Sequence, residues 1–433
     1  MPPISTFPGA HVARDQKGLS LSGVSLLGLA TKYGTPLYVY DFDRIRERAR
    51  EISAALQTVS SGSRAFYAVK ALSHLAALKL IHSEGLGMDV VSGGEIERSL
   101  VAGIKAKDIV FSGVAKTRDE MTLGVTAGIG CFNIESPHEI DLLLDVMKCQ
   151  GASTNQTGKV NIALRINPDV DGQTHAKINT GLGDTKFGLS PILAMTLAKK
   201  ILASKNFVLS GVSCHIGSQI LDLEVIKQAA IQVRMFATSL LQLGAPLSHI
   251  DMGGGLGVAY RPDEWLLIPS LLDWVNAAKN SLPNADIDLH LEPGRTIVAD
   301  SGVLLTRIID VKAGKSKSFA LVDAGMTELL RPALYDAYHH IESLESFSDR
   351  PIIPYDVVGP VCETSCWLGE NVALPTVVAG DVLAVMTVGA YGMSMASNYN
   401  TRVRPAEIAI ENKIPRLIRK QEVLSSLWES EHF

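Results

Sequence analysis

Between about residue 40 and residue 290 the chain alternates between two textures, and this alternation limits its possible folds more than any other feature. Short apolar or β-branched runs begin near Arg64, Leu86, Asp108, Ile129, Lys159, Phe207, Ser248 and Asp286. Between them lie stretches of helical period, at residues 74–83, 94–101, 137–148, 191–203, 223–243 and 267–280. Runs of the first kind suit strands buried on both faces; the second kind suits helices packed against them. Ser136-Pro137 and Ser190-Pro191 each set a capping residue before a proline, a favourable helix start. Eight such strands, each followed by a helix, predict an α/β chain folded as a parallel (β/α)8 barrel. A doubly wound open sheet uses a similar alternation, so the count of eight decides between them.

After about Asp300 the texture changes. Residues 303–311, 318–322, 353–358 and 382–388 are β-rich and separated by glycine and proline, which predicts a second, mostly antiparallel β-domain. Leu37-Tyr38-Val39-Tyr40 is suited to add a strand to it. The expected division is an N-terminal segment over 1–38 that contributes to the β-domain, a barrel over 39–296 and the β-domain over 297–433. Residues 151–158 read as an exposed loop.

In a barrel of this kind the functional groups stand at the carboxyl ends of the strands. The first strand ends at Lys70, which closes the apolar run Phe66-Tyr67-Ala68-Val69. A lysine there is costly unless paired, neutral or covalently used, and lysine is the amine that condenses with carbonyl compounds. The second strand ends in Asp89 and Ser92-Gly93-Gly94-Glu95, the third in Ser112-Gly113, the fourth in Asn133-Ile134-Glu135 and the fifth in Arg165-Ile166-Asn167-Pro168. The sixth ends in His215-Ile216-Gly217-Ser218-Gln219, the seventh in Gly253-Gly254-Gly255-Leu256-Gly257 and the eighth in Glu292-Pro293-Gly294-Arg295. Polar or glycine-rich sets at nearly every end point to one convergent site. The glycine run reads either as a tight turn or as a phosphate cradle, and its place after the seventh strand favours the cradle. It does not fit the dinucleotide pattern, because Val258 stands where the last glycine would be. Glu292 ends an apolar run and needs a partner, either Arg295 or the ring nitrogen of a pyridine cofactor. His215 is either a satisfied core histidine or a flat group stacked on such a ring.

In the second domain Arg331-Pro332-Ala333-Leu334-Tyr335 and Gly359-Pro360-Val361-Cys362-Glu363 follow apolar runs. A free cysteine is by default a small buried hydrophobe, but the glycine-proline approach and acidic neighbour of Cys362 favour a positioned reactive group. Cys362 and Cys366 have no second pair to complete a zinc site, so no metal is expected. Five cysteines in 433 residues fit a reducing cytoplasm better than a disulfide scaffold. With 40 basic against 45 acidic residues, the net charge of −5 gives no reason to expect a nucleic-acid or membrane partner. There is no secretory signal at Met1-Pro2-Pro3-Ile4-Ser5 and no apolar run of membrane-spanning length.

The set Tyr67-Ala68-Val69-Lys70-Ala71, the run from His215 to Gln219, the glycine run 253–257, Glu292-Pro293-Gly294-Arg295 and the Cys362-Glu363 segment resembles the alanine-racemase-fold (fold type III) pyridoxal-phosphate decarboxylases. Within these it is most similar to the diaminopimelate decarboxylases. Ile178-Asn179-Thr180-Gly181, Lys186-Phe187-Gly188, Tyr399-Asn400 and Arg404-Pro405-Ala406-Glu407 resemble that subfamily too, and the resemblance covers nearly the whole chain. It implies decarboxylation of meso-2,6-diaminopimelate to L-lysine on pyridoxal 5'-phosphate. Lys70 would hold the cofactor covalently and His215 would stack on its ring. Gly254, Gly255, the backbone of Gly294 and Arg295, and Tyr391 would bind the phosphate, with Asp89 and Ser218 also at the cofactor. Glu292 would pair with the ring nitrogen. Arg295, Arg331, Tyr335 and Tyr391 would line the substrate, Glu363 would take its distal amine, and Cys362 would deliver a proton after carbon dioxide leaves. Cys362 and Glu363 would reach the site from a second subunit, which implies a homodimer with shared sites. Two arginines suit a distal carboxylate, whereas a substrate ending in an amine would ask for acids there. One departure is Thr364-Ser365-Cys366-Trp367, where the family usually carries an acid. A decarboxylase of another amino acid or conjugated carboxylate, and a non-catalytic homologue, are the alternatives; intact Lys70, His215, Glu292 and Cys362 weigh against the second.

Overall fold

A computed structural model describes residues 11–432 apart from 17, 150–157, 171–185 and 285. Most of the predicted loop at 151–158 and the segment Ile178-Asn179-Thr180-Gly181 therefore lie outside the described residues. The chain divides into two compact units, one of residues 48–257 and 268–297, the other of 1–47, 258–267 and 298–433.

The first unit is the expected barrel. Its strands are Arg64–Ala68, Gly87–Val90, Ile109–Phe111, Cys131–Ile134, Val160–Arg165, Phe207–Ser213, His249–Asp251 and Asp288–Leu291, and they close on themselves with every pairing parallel. Closure leaves no edge, which is how a parallel sheet with apolar runs on both faces avoids unpaired backbone. The helices between them start where the sequence supplies caps. Ser190 accepts from the backbone N–H of Leu193 with Pro191 following, and Asp222 accepts from that of Glu224. Two helices lie outside the expected set. Arg118–Ala127 is held by a capping box between Thr117 and Glu120, and Phe42–Gln57 buries Phe42, Ile45, Ala49, Ile52 and Leu56 on one face of an otherwise charged helix.

Within the barrel the rings of His249 and His290 stack at 4.4 Å, with Phe66 5.0 Å from His290. Gly211 makes room for them; a Cβ there would lie 2.2 Å from His249 Nε2. A buried cation also ties two loops to the wall: Lys116 Nζ donates to the carbonyls of Gly113 and Asn133, each at 2.7 Å, and lies 3.3 Å from the Glu139 carboxylate.

The second unit is mostly antiparallel. Its main sheet runs Trp367–Pro375, Ile352–Val358, Ser318–Val322, Gly302–Ala313, Leu37–Asp41, Ala406–Glu411, Ile414–Arg419, with Val382–Val385 joining at Gly302–Ala313 and Ile341–Ser343 pairing with Val382–Val385. The N-terminal strand Leu37–Asp41 is central to it, antiparallel to Gly302–Ala313 and parallel to Ala406–Glu411. Its apolar core gathers Leu37, Val39, Val303, Leu305, Val382 and Ile408. Tyr38 and Tyr40 are also fully buried, donating from their hydroxyls to the Glu328 carbonyl and to the Glu407 carboxylate.

Burial lowers the His249 imidazole to about 4, against a smaller opposing pull from Asp288, and His290 is lowered too. A base with a depressed folded value binds its proton first in the unfolded chain. Stability is therefore full above the ordinary histidine value and is lost as pH falls from about 6.5 toward 4. For His249 the loss is at most about 3 kcal/mol. Urea midpoints of the cofactor-free protein should fall across that window, and His249→Gln should flatten the fall; an unchanged slope would contradict the neutral stacked pair.

Candidate active site

The strand ends of the barrel carry a concentrated set of titratable groups. Lys70 sits two residues past the first strand, in the tight turn Val69–Ala71. The turn's backbone is buried, but the lysine side chain keeps 40% of its surface exposed, so the run ends in a presented amine rather than a buried one. Its Nζ lies 2.9 Å from Oδ2 of fully buried Asp89. Parallel register explains the meeting, since Ala68 pairs with Asp89 on the next strand. The other oxygen, Asp89 Oδ1, is buried without a hydrogen-bond partner. Glu95, on the helix that follows, accepts from the Val91 N–H at 2.8 Å, and burial raises its carboxyl to about 7 against the pull of that bond and of Lys70.

Glu292 is buried at the end of the eighth strand. Its partner is not Arg295: the Arg295 guanidinium donates to Ser218 Oγ at 2.9 Å. Glu292 instead accepts from Ser112 Oγ at 3.2 Å, and Asn133 Nδ2 in turn donates to Ser112 at 3.0 Å. The carboxyl of Asp251 is also buried, and the two acids act on each other's ionisation. Burial pushes Glu292 well above the ordinary carboxyl range, and Asp251 and Asp89 push the same way against Lys70 and Arg165. Two interacting carboxyls out of water resist ionising together, so the pair keeps a proton. Asp251 is held in turn by the Gly253 N–H at 2.8 Å. The sequence reading missed Asp251; the only signal was an acid two residues ahead of the glycine run.

The glycine run earns its composition by close approach. A Cβ on Gly254 would lie 2.3 Å from the Glu292 carbonyl oxygen, and one on Gly255, whose φ is +121°, 2.7 Å from that of Gly217. The Gly254 N–H donates to His215 Nδ1 at 3.2 Å, which leaves that nitrogen bare and the ring neutral. Burial lowers the His215 imidazole, with Arg165 and Lys70 adding to the effect; the ring's remaining exposed surface tempers the shift without reversing it. Arg165 is held by Glu135 at 2.5 Å and lies over the Phe187 ring. Gly294 lies against Ala68 and Ala71 in the turn that carries Lys70, where a Cβ would stand 3.1 and 3.2 Å from their methyl groups.

In the other unit Arg331 is buried at the head of the short helix Arg331–Tyr335, and Tyr335 is half-buried. Tyr391 takes a left-handed backbone, φ +58°. Cys362 and Glu363 are exposed; Cys362 Sγ lies 3.5 Å from Asn400 Oδ1 and Tyr399 donates to Glu363 at 2.7 Å. Cys366 is buried, accepts from the Met326 N–H at 3.4 Å and fills the space left by Gly325 and Gly359. A cysteine rather than an acid at 366 is thus explained by packing.

The barrel's donor set suits pyridoxal phosphate. It offers an amine for an aldehyde, a neutral flat ring, a carboxyl retaining a proton for a ring nitrogen, a buried carboxylate oxygen awaiting a donor, and a glycine turn that side chains would fill. Residues 42–299 match the family model described as the pyridoxal binding domain of pyridoxal-dependent decarboxylases. The chain is 41% identical over 414 residues to the diaminopimelate decarboxylase of Zymomonas mobilis, across 95% of this chain and 96% of that one. Its fold is similar to that of the Helicobacter pylori diaminopimelate decarboxylase complexed with L-lysine, with a TM-score of 0.88, 40% identity and coverage of 94% and 98%. The M. jannaschii enzyme in complex with L-lysine gives a TM-score of 0.90 at 35% identity over 98% of each chain. The chain therefore belongs to the pyridoxal-dependent decarboxylases and, among them, to the diaminopimelate decarboxylase family.

A proton held between Glu292 and Asp251 has a spectroscopic consequence. The cofactor-free protein should show a protonated-carboxyl band in the infrared at pH 7, weakened in Glu292→Gln and in Asp251→Asn. A wild-type spectrum with ionised carboxylates alone would refute the shared proton.

Proposed function

We propose that this chain catalyses the pyridoxal-phosphate-dependent decarboxylation of meso-2,6-diaminopimelate to L-lysine and carbon dioxide, the last step of lysine synthesis. The observation that carries this reading is the Lys70–Asp89 pair beside the protonated Glu292 carboxyl, in a chain of the diaminopimelate decarboxylase family. Bound pyridoxal phosphate supplies a sink for the electron pair left when carbon dioxide departs. The protein's groups do the rest. Lys70 holds the cofactor through its amine, and Asp89 keeps that amine oriented. His215 presents a neutral face to the ring, and the Glu292 carboxyl holds the proton at the ring nitrogen. Gly254, Gly255, Gly294, the Arg295 backbone, Ser218 and Tyr391 receive the phosphate. Arg295, Arg331 and Tyr335 hold the distal carboxylate of the substrate, and Glu363 its distal amine.

Cys362 holds the proton that reaches the substrate carbon after carbon dioxide has left. Its exposure, and that of Glu363, fits a role completed by a second subunit, so we take the working enzyme to be a homodimer with shared sites. The cytoplasm is the compartment this biosynthetic reaction and five free cysteines suit.

The reading is tested by a panel of meso-, LL- and DD-diaminopimelate, lysine, ornithine and arginine, scored by carbon dioxide release. The meso isomer should be turned over and yield L-lysine; turnover of ornithine or arginine in its place would redirect the assignment. Borohydride reduction of the loaded protein should leave cofactor mass on the peptide containing Lys70, and none in Lys70→Ala. Mass on another lysine would remove Lys70 from this role.

Shared sites make a quantitative forecast. Lys70→Ala and Cys362→Ala, each inactive, should complement when mixed, partly dissociated and reassociated. Half the dimers would then be mixed, each with one intact site, so about a quarter of wild-type activity should return. No recovery in mixed dimers verified by differential tagging would place each site within one chain.

A further inference from the structure

Arg331 is held as firmly as a catalytic group. Its Nη1 lies 2.8 Å from Nε2 of His339, and its Cζ lies 4.5 Å from the centre of the Tyr260 ring. His339 meets that tyrosine edge-on, with centroids 5.2 Å apart, and its Nδ1 lies 2.9 Å from the Met386 carbonyl oxygen. Arg331, His339 and Tyr260 are all buried.

The partners fix the tautomer of His339. A carbonyl oxygen only accepts, so Nδ1 carries the hydrogen. A guanidinium only donates, so Nε2 is bare and accepts from Arg331. A doubly protonated ring would set N–H against N–H and one cation against another. His339 is thus a neutral acceptor, anchored at one nitrogen on the main chain and turned with the other toward the arginine. Tyr260 lies against the guanidinium and against the imidazole edge, so tilting either ring disturbs the whole set.

We propose that His339 is a positioning residue for substrate recognition: anchored on the Met386 carbonyl, it accepts from Arg331 Nη1 and fixes the plane of the guanidinium that receives the substrate's distal carboxylate. The proposal rests on the reading of Arg331 given above. A carboxylate takes two parallel N–H bonds only from a guanidinium in its own plane. An arginine that must first be ordered gives up part of its binding energy to lost rotamers, and one already pinned does not. The guanidinium has five N–H donors, so a bond to His339 is compatible with a fork offered to the ligand.

Two variants separate the acceptor from the anchor. His339→Asn keeps a donor near Nδ1 for the Met386 carbonyl and drops the acceptor at Nε2. His339→Gln keeps an oxygen acceptor near Nε2. The loaded enzyme should show a KM for meso-diaminopimelate raised about tenfold in His339→Asn, the size of one lost hydrogen bond to a charged group, with kcat within about threefold. His339→Gln should recover most of that loss. Inhibition by L-lysine, which retains the distal carboxylate, should weaken in step with KM, while affinity for pyridoxal phosphate and the thermal midpoint stay near wild type. Arg331→Ala, measured alongside, should raise KM and weaken lysine inhibition more than His339→Asn does. If Arg331→Ala raises KM and His339→Asn does not, the positioning role of His339 is wrong while the Arg331 reading stands. If Arg331→Ala changes neither constant, the reading beneath the proposal fails. Equal damage in the Asn and Gln variants, or a fall in kcat alone, would also overturn the proposal.

Discussion

The barrel's chemistry depends on one electrostatic constraint: Asp89, Asp251 and Glu292 are buried at the carboxyl ends of the second, seventh and eighth strands. Carboxylates out of water are tolerated only when paired or protonated. Lys70 neutralises Asp89 directly, and with Arg165 it acts on Glu292 from further off. A proton kept between Asp251 and Glu292 halves the charge that remains. The cluster is therefore preset to receive a ligand that brings a basic nitrogen to Glu292 and an electrophile to Lys70. A fold that merely needed stability would place apolar residues there, since a buried acid cluster is a poor source of stability.

Parallel strand register is what brings these groups together. Ala68 stands opposite Asp89, so the amine two residues on meets that carboxylate. Asp251 closes the seventh strand, and the turn after it is pinned twice, by the Gly253 N–H donating to Asp251 and by the Glu292 N–H donating to the Gly253 carbonyl at 2.7 Å. The glycine turn and the acid pair are thus one construction, and a change in either moves the other. In the β-rich unit the same economy appears in neutral form. One histidine, fixed by a main-chain carbonyl, sets the orientation of one arginine.

Much of this was legible in the sequence. The eight strands begin within about two residues of where apolar runs start, because strands buried on both faces leave so plain a pattern. Lys70, Asp89, Glu292 and the glycine run stood out because charge and glycine at the end of an apolar run have few other uses. Less visible were the partners. Glu292 was paired in prospect with Arg295, three residues on, yet Arg295 turns to Ser218 and Glu292 to Ser112 and Asp251. Such contacts come from other strand ends around the barrel, and linear spacing carries no record of them. His339 was invisible for the same reason: its partners are Arg331, eight residues before it, and the carbonyl of Met386, forty-seven after. The helix Phe42–Gln57 was legible in the recurrence of Phe42, Ile45, Ala49, Ile52 and Leu56 but was passed over, and Arg118–Ala127 was marked only by its cap.

The central claim is that the barrel's acid pair sets the protonation of the cofactor ring. The most direct measurement is the nitrogen-15 chemical shift of ring-labelled pyridoxal phosphate bound to the protein. This account expects a protonated ring nitrogen in the wild type across neutral pH and loss of that protonation in Glu292→Gln. An unprotonated nitrogen in the wild type, or a shift unchanged by Glu292→Gln, would contradict it.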